Sequence, residues 1–312
     1  MTSDKTTLSP PGETAARDAR AARLGVAYGV AAYVWWGLCP IYFKAVASVP
    51  ALQVLAHRIV WSVLFLVLLT LVQKRWEPVR AVCRDRRTLL RLCVTTLLIA
   101  NNWGLFIWAV AHDHLLQASF GYFINPLVNV LLGFVFLRER LRRMQTVAVL
   151  LAAIGVVYLI VAYGQFPWLA LVLAFSFGFY GLLRKTTHAG PLVGLTVETA
   201  LLTPVALAFL FYEGLRGDGA FGVVSRQMDL LLASAGIITA VPLLWFAAAA
   251  KRLWYSTLGI LQYLAPTGQF LLAVLAYGEP FTRDHLVSFS LIWTALIIYS
   301  VDTALLPRRS FH

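Results

Sequence analysis

Residues 121–139 read GYFINPLVNVLLGFVFLRE, and residues 261–279 read LQYLAPTGQFLLAVLAYGE. Each is an apolar run with a proline inside it, Pro126 or Pro266, and a glutamate thirteen residues further on, Glu139 or Glu279. The same 140-residue offset sets Phe106 on Phe246, Ala109 on Ala249 and Leu131-Leu132 on Leu271-Leu272. Five apolar spans separate corresponding segments, and an odd number of crossings reverses the chain through a bilayer. The expectation is an all-α membrane protein of ten transmembrane helices in two inverted five-helix repeats. In that arrangement one half can rock against the other around a site near the midplane.

Composition agrees with a lipid environment. The 312 residues are 60% hydrophobic and 13% charged, with mean hydropathy +0.76, whereas soluble domains average about 45–50% apolar. A span of about 30 Å takes roughly 20 helical residues. Ten stretches qualify, near 24–43, 51–73, 92–111, 115–137, 144–162, 167–183, 191–211, 229–250, 254–277 and 284–304. The chain then divides into a tail over 1–23, a first repeat over 24–163, a second over 164–305 and a tail over 306–312. Pro10, Pro11, Gly12 and mixed charge mark the first tail as disordered. The first apolar stretch starts late and is as long as a span, so it reads as a helix and not as a cleaved signal peptide. Gly25 and Gly29 form a GxxxG, a spacing common in membrane helices. Cys39, Cys83 and Cys93 have no metal-ligand spacing and are odd in number, so free thiols are expected.

The formal charge of +12 does not point to nucleic acid, because the basic residues lie between apolar spans and not on one soluble face. They report orientation. With both termini cytoplasmic, 21 of the 26 Lys and Arg fall inside, including Arg184 after the sixth span, and four outside, with Arg58 left within a span. The 74–91 segment is the most basic and should lie against anionic headgroups.

His57, Arg58 and Glu198 are the ionisable residues well inside spans. Charges there cost at least about 2.5–3.5 kcal/mol on insertion scales and normally face protein or a water-filled cavity. His57 follows Pro50 by seven residues, as Glu198 follows Pro191. The depths of Arg58 and Glu198 argue for a shared cavity and against a direct pair. Asn101, Asn102, Asn125, Asn129 and Gln262 form a second polar set, with Tyr122 and Tyr263 among the aromatic candidates for a small-solute site. Pro126, Pro242 and Pro266 are expected helix breaks, each freeing a carbonyl in mid-span. Glu139 and Glu279 sit at span ends, where a carboxylate favours the N-terminus of the next helix. His112, Asp113 and His114 read as exposed loop residues, and no metal site or other cofactor is expected.

Ala56-His57-Arg58-Ile59-Val60-Trp61-Ser62, the stretch from Gly121 to Asn129, Glu198-Thr199, Leu258-Gly259, Gln262-Tyr263 and Pro266 resemble the drug/metabolite transporter superfamily. Within it, the chain is similar to EamA-type transporters of the RarD group. The resemblance implies a ten-helix carrier of metabolites or drugs in a bacterial inner membrane, with both termini cytoplasmic. In that family a Gly-Glu usually closes the fourth helix of each repeat; Gly278-Glu279 keeps it and Arg138-Glu139 does not. The partners implied are a small-molecule substrate and the lipid bilayer, with protons as a candidate coupling ion and Glu198 as the candidate proton-linked switch. No Walker-type GxxxxGK[ST] is present to supply ATP hydrolysis. The alternatives are an intramembrane enzyme acting on a membrane lipid or peptide, and a lipid flippase.

Overall fold

The structure, a computed structural model, describes residues 11–111, 115–164, 166–276 and 283–305. These fold into α1 (Pro11–Ala45), α2 (Ala51–Val72), α3 (Trp76–Arg84), α4 (Arg86–Ala111), α5 (Leu115–Leu137) and α6 (Arg143–Tyr163). They continue as α7 (Trp168–Thr186), α8 (Pro191–Arg216), α9 (Arg226–Ala250), α10 (Tyr255–Leu261), α11 (Leu264–Leu275) and α12 (Arg283–Leu305), with no strand among the described residues. Nine of the described helices are long and apolar enough to cross a membrane: all but α3, α10 and α11. His112, Asp113, His114 and Glu279 lie outside the described residues.

Helix ends follow local chemistry. Pro191 starts α8 at the first helical position, where its missing N–H costs nothing. The Ser225 hydroxyl caps α9 by accepting from Met228 N at 3.1 Å. Gly164 and Gly217 end α6 and α8 in the left-handed region that an L side chain avoids.

Two expectations need correction. Residues 11–23, read as a disordered tail, belong to α1. A proline in the first turn and five alanines before Arg23 favour helix even where too little apolar surface exists for a core. The predicted prolines also do not act alike. α5 and α9 run through Pro126 and Pro242 without ending. The 254–277 stretch is instead two helices, α10 and α11, parted at Gln262–Tyr263. Pro266 has no N–H to offer the Gln262 carbonyl four residues back, and Ala265 N takes it at 3.0 Å. The break therefore falls one turn before the proline that causes it.

Packing crosses between the two halves of the chain. α1 lies on α9 and α11, α2 on α8 and α9, α5 on α7 and α10, and α6 on α12. Small residues permit the close approaches: a Cβ at Gly25 would meet Arg252 and Leu253 at 2.9 Å, and one at Gly259 would meet the Pro126 carbonyl at 2.7 Å. The GxxxG of α1 is thus a packing seam. Outward, Leu68, Leu97, Phe134, Val205, Leu230 and Ile297 are exposed, an apolar surface that suits lipid. α3 is the exception in direction, a short amphipathic helix within the basic 74–91 segment that buries Val79 against Leu92 and Val193.

Candidate functional site

Arg58 on α2 and Glu198 on α8 line one cavity between the halves. At the 140-residue offset Glu198 falls on Arg58, not on His57. The cavity follows α2 from Arg58 to Leu66 and α8 from Leu195 to Leu202, with Ile99 and Trp103 of α4, Tyr180 of α7 and Thr239 of α9 completing its wall. Its volume is only about 20 Å³, room for little more than a single water.

The two charges have different partners. Arg58 is half-buried; its Nε donates to Thr239 Oγ1 at 2.9 Å, and its guanidinium lies over the rings of Phe43 and Trp103 at 5.4 and 5.2 Å. Those contacts hold the side chain without a carboxylate. Glu198 pairs with Arg184 of α7, Nε to Oε1 at 3.6 Å, and accepts from Thr95 Oγ1 at 2.5 Å. Arg184 also donates from Nη2 to the Pro191 carbonyl at 3.1 Å, and a Cβ at Gly194 would occupy the space its guanidinium fills. Glu198 Oε2 has no hydrogen-bond partner among the described residues.

Arg184 is the residue the sequence reading missed, having been grouped with the charges outside the membrane. Arg184 lies two residues inside the end of α7, and Glu198 lies seven residues past the start of α8. Helical side chains lean toward their own N-termini, so the Arg184 head reaches deeper and the Glu198 head back toward the turn, and that lean was the available signal.

Other predicted residues gather elsewhere. His57 stacks on Phe221 at 5.3 Å, beneath the 217–225 segment that Gln53 fastens by donating to Glu213 and the Asp218 carbonyl. Asn125 donates to the Ala174 carbonyl at 2.8 Å, and Asn129 donates to Asn125 Oδ1 at 3.0 Å and to Gln262 Oε1 at 2.8 Å. This buried chain ties α5 to α7 and to the break before α11. Asn102 donates to the Leu173 carbonyl and Ser176, Asn101 is exposed, and Tyr263 is buried in the main core. None of these lines the cavity. Tyr122 sits edge-on to Phe106, and its hydroxyl is among the titratable groups that act on Arg58.

Glu139 does cap a helix, but not the next one. Its two carboxylate oxygens accept from Tyr255 N at 2.5 Å and Ser256 N at 2.9 Å, at the start of α10 in the other half of the chain. Arg138 adopts φ +54, which turns Glu139 back beside Gly133, and that left-handed backbone explains why glycine suits the position. Nearby, Lys185 Nζ donates to the Ala250 and Leu253 carbonyls, and Lys251 Nζ to the Thr187 carbonyl at 2.5 Å. Burial pushes the Lys251 ammonium below the usual lysine range, and Arg184 and Lys185 add to the effect. This end of the bundle is sealed by hydrogen bonds between helix termini.

Comparison with known proteins gives the family. Residues 23–161 match the EamA-like transporter family. Protein RarD of Escherichia coli K12 is 46% identical over 94% of this chain and 99% of its own length. The chain belongs to the EamA-like transporter family, in its RarD group. An uncharacterized transporter of Vibrio cholerae is 47% identical over 91% of this chain and 94% of its own. The chloramphenicol-sensitive protein RarD of Pseudomonas aeruginosa is 35% identical over 91% and 96%. A crystal structure of another protein superposes with a TM-score of 0.69 over 89% of this chain and 97% of its own; at 17% identity it shows a shared fold. Membership in the EamA-like transporter family makes this a multi-pass membrane transporter.

Proposed function

We propose that the chain is a secondary carrier of small organic solutes, metabolites or drugs, that works by alternating access around the cavity between Arg58 and Glu198. One observation carries the reading: residues at equivalent repeat positions on α2 and α8, both deep in spans, meet in a single cavity between the halves. In the proposed topology α10 and α11 together form a broken crossing, which brings the total to ten. The repeats over 24–163 and 164–305 are inverted, and both termini are cytoplasmic in a bacterial inner membrane. The helix contacts support this. Exchanging α1 with α7, α2 with α8, α4 with α9 and α5 with α10–α11 turns the α1–α9 contact into α7–α4, and α1–α11 into α7–α5; both counterparts exist.

The sealed helix termini lie at the end that carries the basic segments. A second space, of about 450 Å³, lies toward that same end, beside Tyr28, Gln73, Arg75 and Trp245. Leu192 and Leu244 line it, and Leu195 and Leu243 line the first cavity, so a thin apolar layer parts the two. A carrier needs such a layer to open in alternation. Glu198 is the proposed proton-linked element: protonation would discharge its pairing with Arg184 and free α7 from α8.

Counterflow tests the reading. Solutes are first screened for thermal stabilisation of the purified protein, since a ligand of the folded state raises its apparent stability. A stabilising solute, radiolabelled outside liposomes and unlabelled inside, should enter faster than into unloaded liposomes and saturate. Linear uptake without acceleration would indicate a channel, and a chemically altered solute would indicate an enzyme.

A further inference from the structure

We propose that the carried solute is an organic monoanion, a carboxylate on a compact apolar or aromatic body, held by the two Nη groups of Arg58. The inference rests on the carrier reading and names its substrate class.

Charge balance in the cavity is the starting point. Glu198 and Arg184 neutralise each other at 3.6 Å. Arg58 forms no ion pair with any described residue. The titratable groups that act on it are Cys39, Tyr42 and Tyr122, a thiol and two phenols that carry no charge in their ordinary protonated forms. The cavity therefore contains one uncompensated positive charge. A guanidinium so placed within a span is costly until a counter-anion arrives.

Its geometry narrows the anion. Nε is engaged by Thr239, the group lies over Phe43 and Trp103, and neither Nη donates a hydrogen bond to a described residue. What remains is a pair of parallel N–H donors, the fork that matches a planar carboxylate in bidentate fashion.

The rest of the wall sets the body. The Ser62 hydroxyl donates to the Gly236 carbonyl at 3.1 Å, and the Thr199 hydroxyl to the Leu195 carbonyl at 2.6 Å. The Thr239 oxygen accepts from Arg58 Nε, which leaves its own O–H to donate. With the Ser62 and Thr199 donors engaged, the wall offers mainly leucine, isoleucine and aromatic surface, which favours an apolar body over a sugar or a polyol. A dianion would bring a second charge for which the described residues lining the cavity offer no further cation.

The experiment compares acids with their neutral amides. Purified protein in detergent is titrated with phenylacetate, 3-phenylpropionate and indole-3-acetate, and separately with the three corresponding amides, reading thermal stabilisation and intrinsic tryptophan fluorescence. At least one acid should bind saturably to wild type and its amide at least tenfold more weakly, because each lost charge-assisted hydrogen bond costs about that factor or more. Arg58→Lys should keep part of the preference for acid over amide, since it retains the charge without the fork; Arg58→Gln should lose it. Equal binding of acid and amide by wild type, no binding by any acid, or unchanged acid binding in Arg58→Gln overturns the proposal. The wild-type comparison holds even where a variant is unstable. Counterflow of a neutral solute that Arg58→Gln carries as well as wild type would refute the anion assignment and sustain the carrier. Acid binding through Arg58 without flux of any bound acid would do the reverse.

Discussion

Arg184 and Glu198 form an ion pair, 3.6 Å from Nε to Oε1, with neither side chain meaningfully exposed to solvent. Removing one partner of a buried pair strands the other and costs about 3–5 kcal/mol, while replacing both by apolar groups is often neutral. Glu198→Gln and Arg184→Gln should each lower the thermal midpoint of the purified protein markedly. Arg184→Met combined with Glu198→Met should recover most of the loss. A double variant no more stable than the singles would mean that the pair contributes through something other than its charges.

The same pair bears on coupling. Glu198→Gln should remove any response of solute uptake to an imposed pH gradient, whereas Arg58→Ala should weaken binding and leave the gradient response of the residual flux, because a guanidinium does not titrate in the working range. Uptake into proteoliposomes with and without the gradient, at matched protein content, decides it. Gradient-driven uptake unchanged in Glu198→Gln would remove this carboxylate as the coupling group.

Glu139→Ala removes both acceptors at the start of α10, and the loss of a charged cap should cost about 2 kcal/mol or somewhat more. It should also loosen that end of the bundle. A single cysteine at Ser256, buried in the native protein, should react several-fold faster with a maleimide when Glu139 is alanine. An unchanged labelling rate would show that the cap does not hold this end shut.

Arg138 adopts φ +54, a conformation that costs a side-chain-bearing residue about 1 kcal/mol relative to glycine. Arg138→Gly should therefore raise thermal stability slightly, by about 0.5–1 kcal/mol, and Arg138→Ala should not. Thermal unfolding of the three proteins side by side is sufficient.

Orientation is read by labelling. In a cysteine-free background, Val223→Cys lies in an exposed turn and should react with an impermeant maleimide in intact cells. Arg80→Cys, in the exposed part of α3, should react only after permeabilisation. The opposite pattern would invert the proposed topology.

The sequence made the helical architecture legible because membrane spans announce themselves by length and apolarity: nine of the ten expected stretches coincide with helices long enough to cross a membrane, while the 254–277 stretch is divided into α10 and α11 and α3 lies outside all ten. It failed where a residue's role depends on a distant partner. Arg184 at the end of an apolar run looks like any topogenic charge until α7 and α8, both packed on α4, bring Glu198 to it. Asn125, Asn129 and Gln262 look like the lining of a pocket, because composition cannot distinguish a polar group facing a cavity from one joining two helices. Glu139 was legible as a cap, since its place at a span end favours an N-terminus, but its acceptor role belongs to a helix 116 residues away. Pro266 was legible as a break only to within a turn, because proline withholds its hydrogen bond from the residue four positions earlier.

The cross-packing of the halves also governs how the protein is made. While α1 to α6 are being synthesised, the principal neighbours of α1, α2 and α6 do not yet exist, and the carboxylate of Glu139 has no amide groups to meet. The early half must wait in the bilayer with its seams of small residues facing lipid, and assembly completes only when α7 to α12 insert among helices already in place. A ribosome stalled midway would leave a fragment in which α1, α2, α6 and the Glu139 carboxylate all lack their partners.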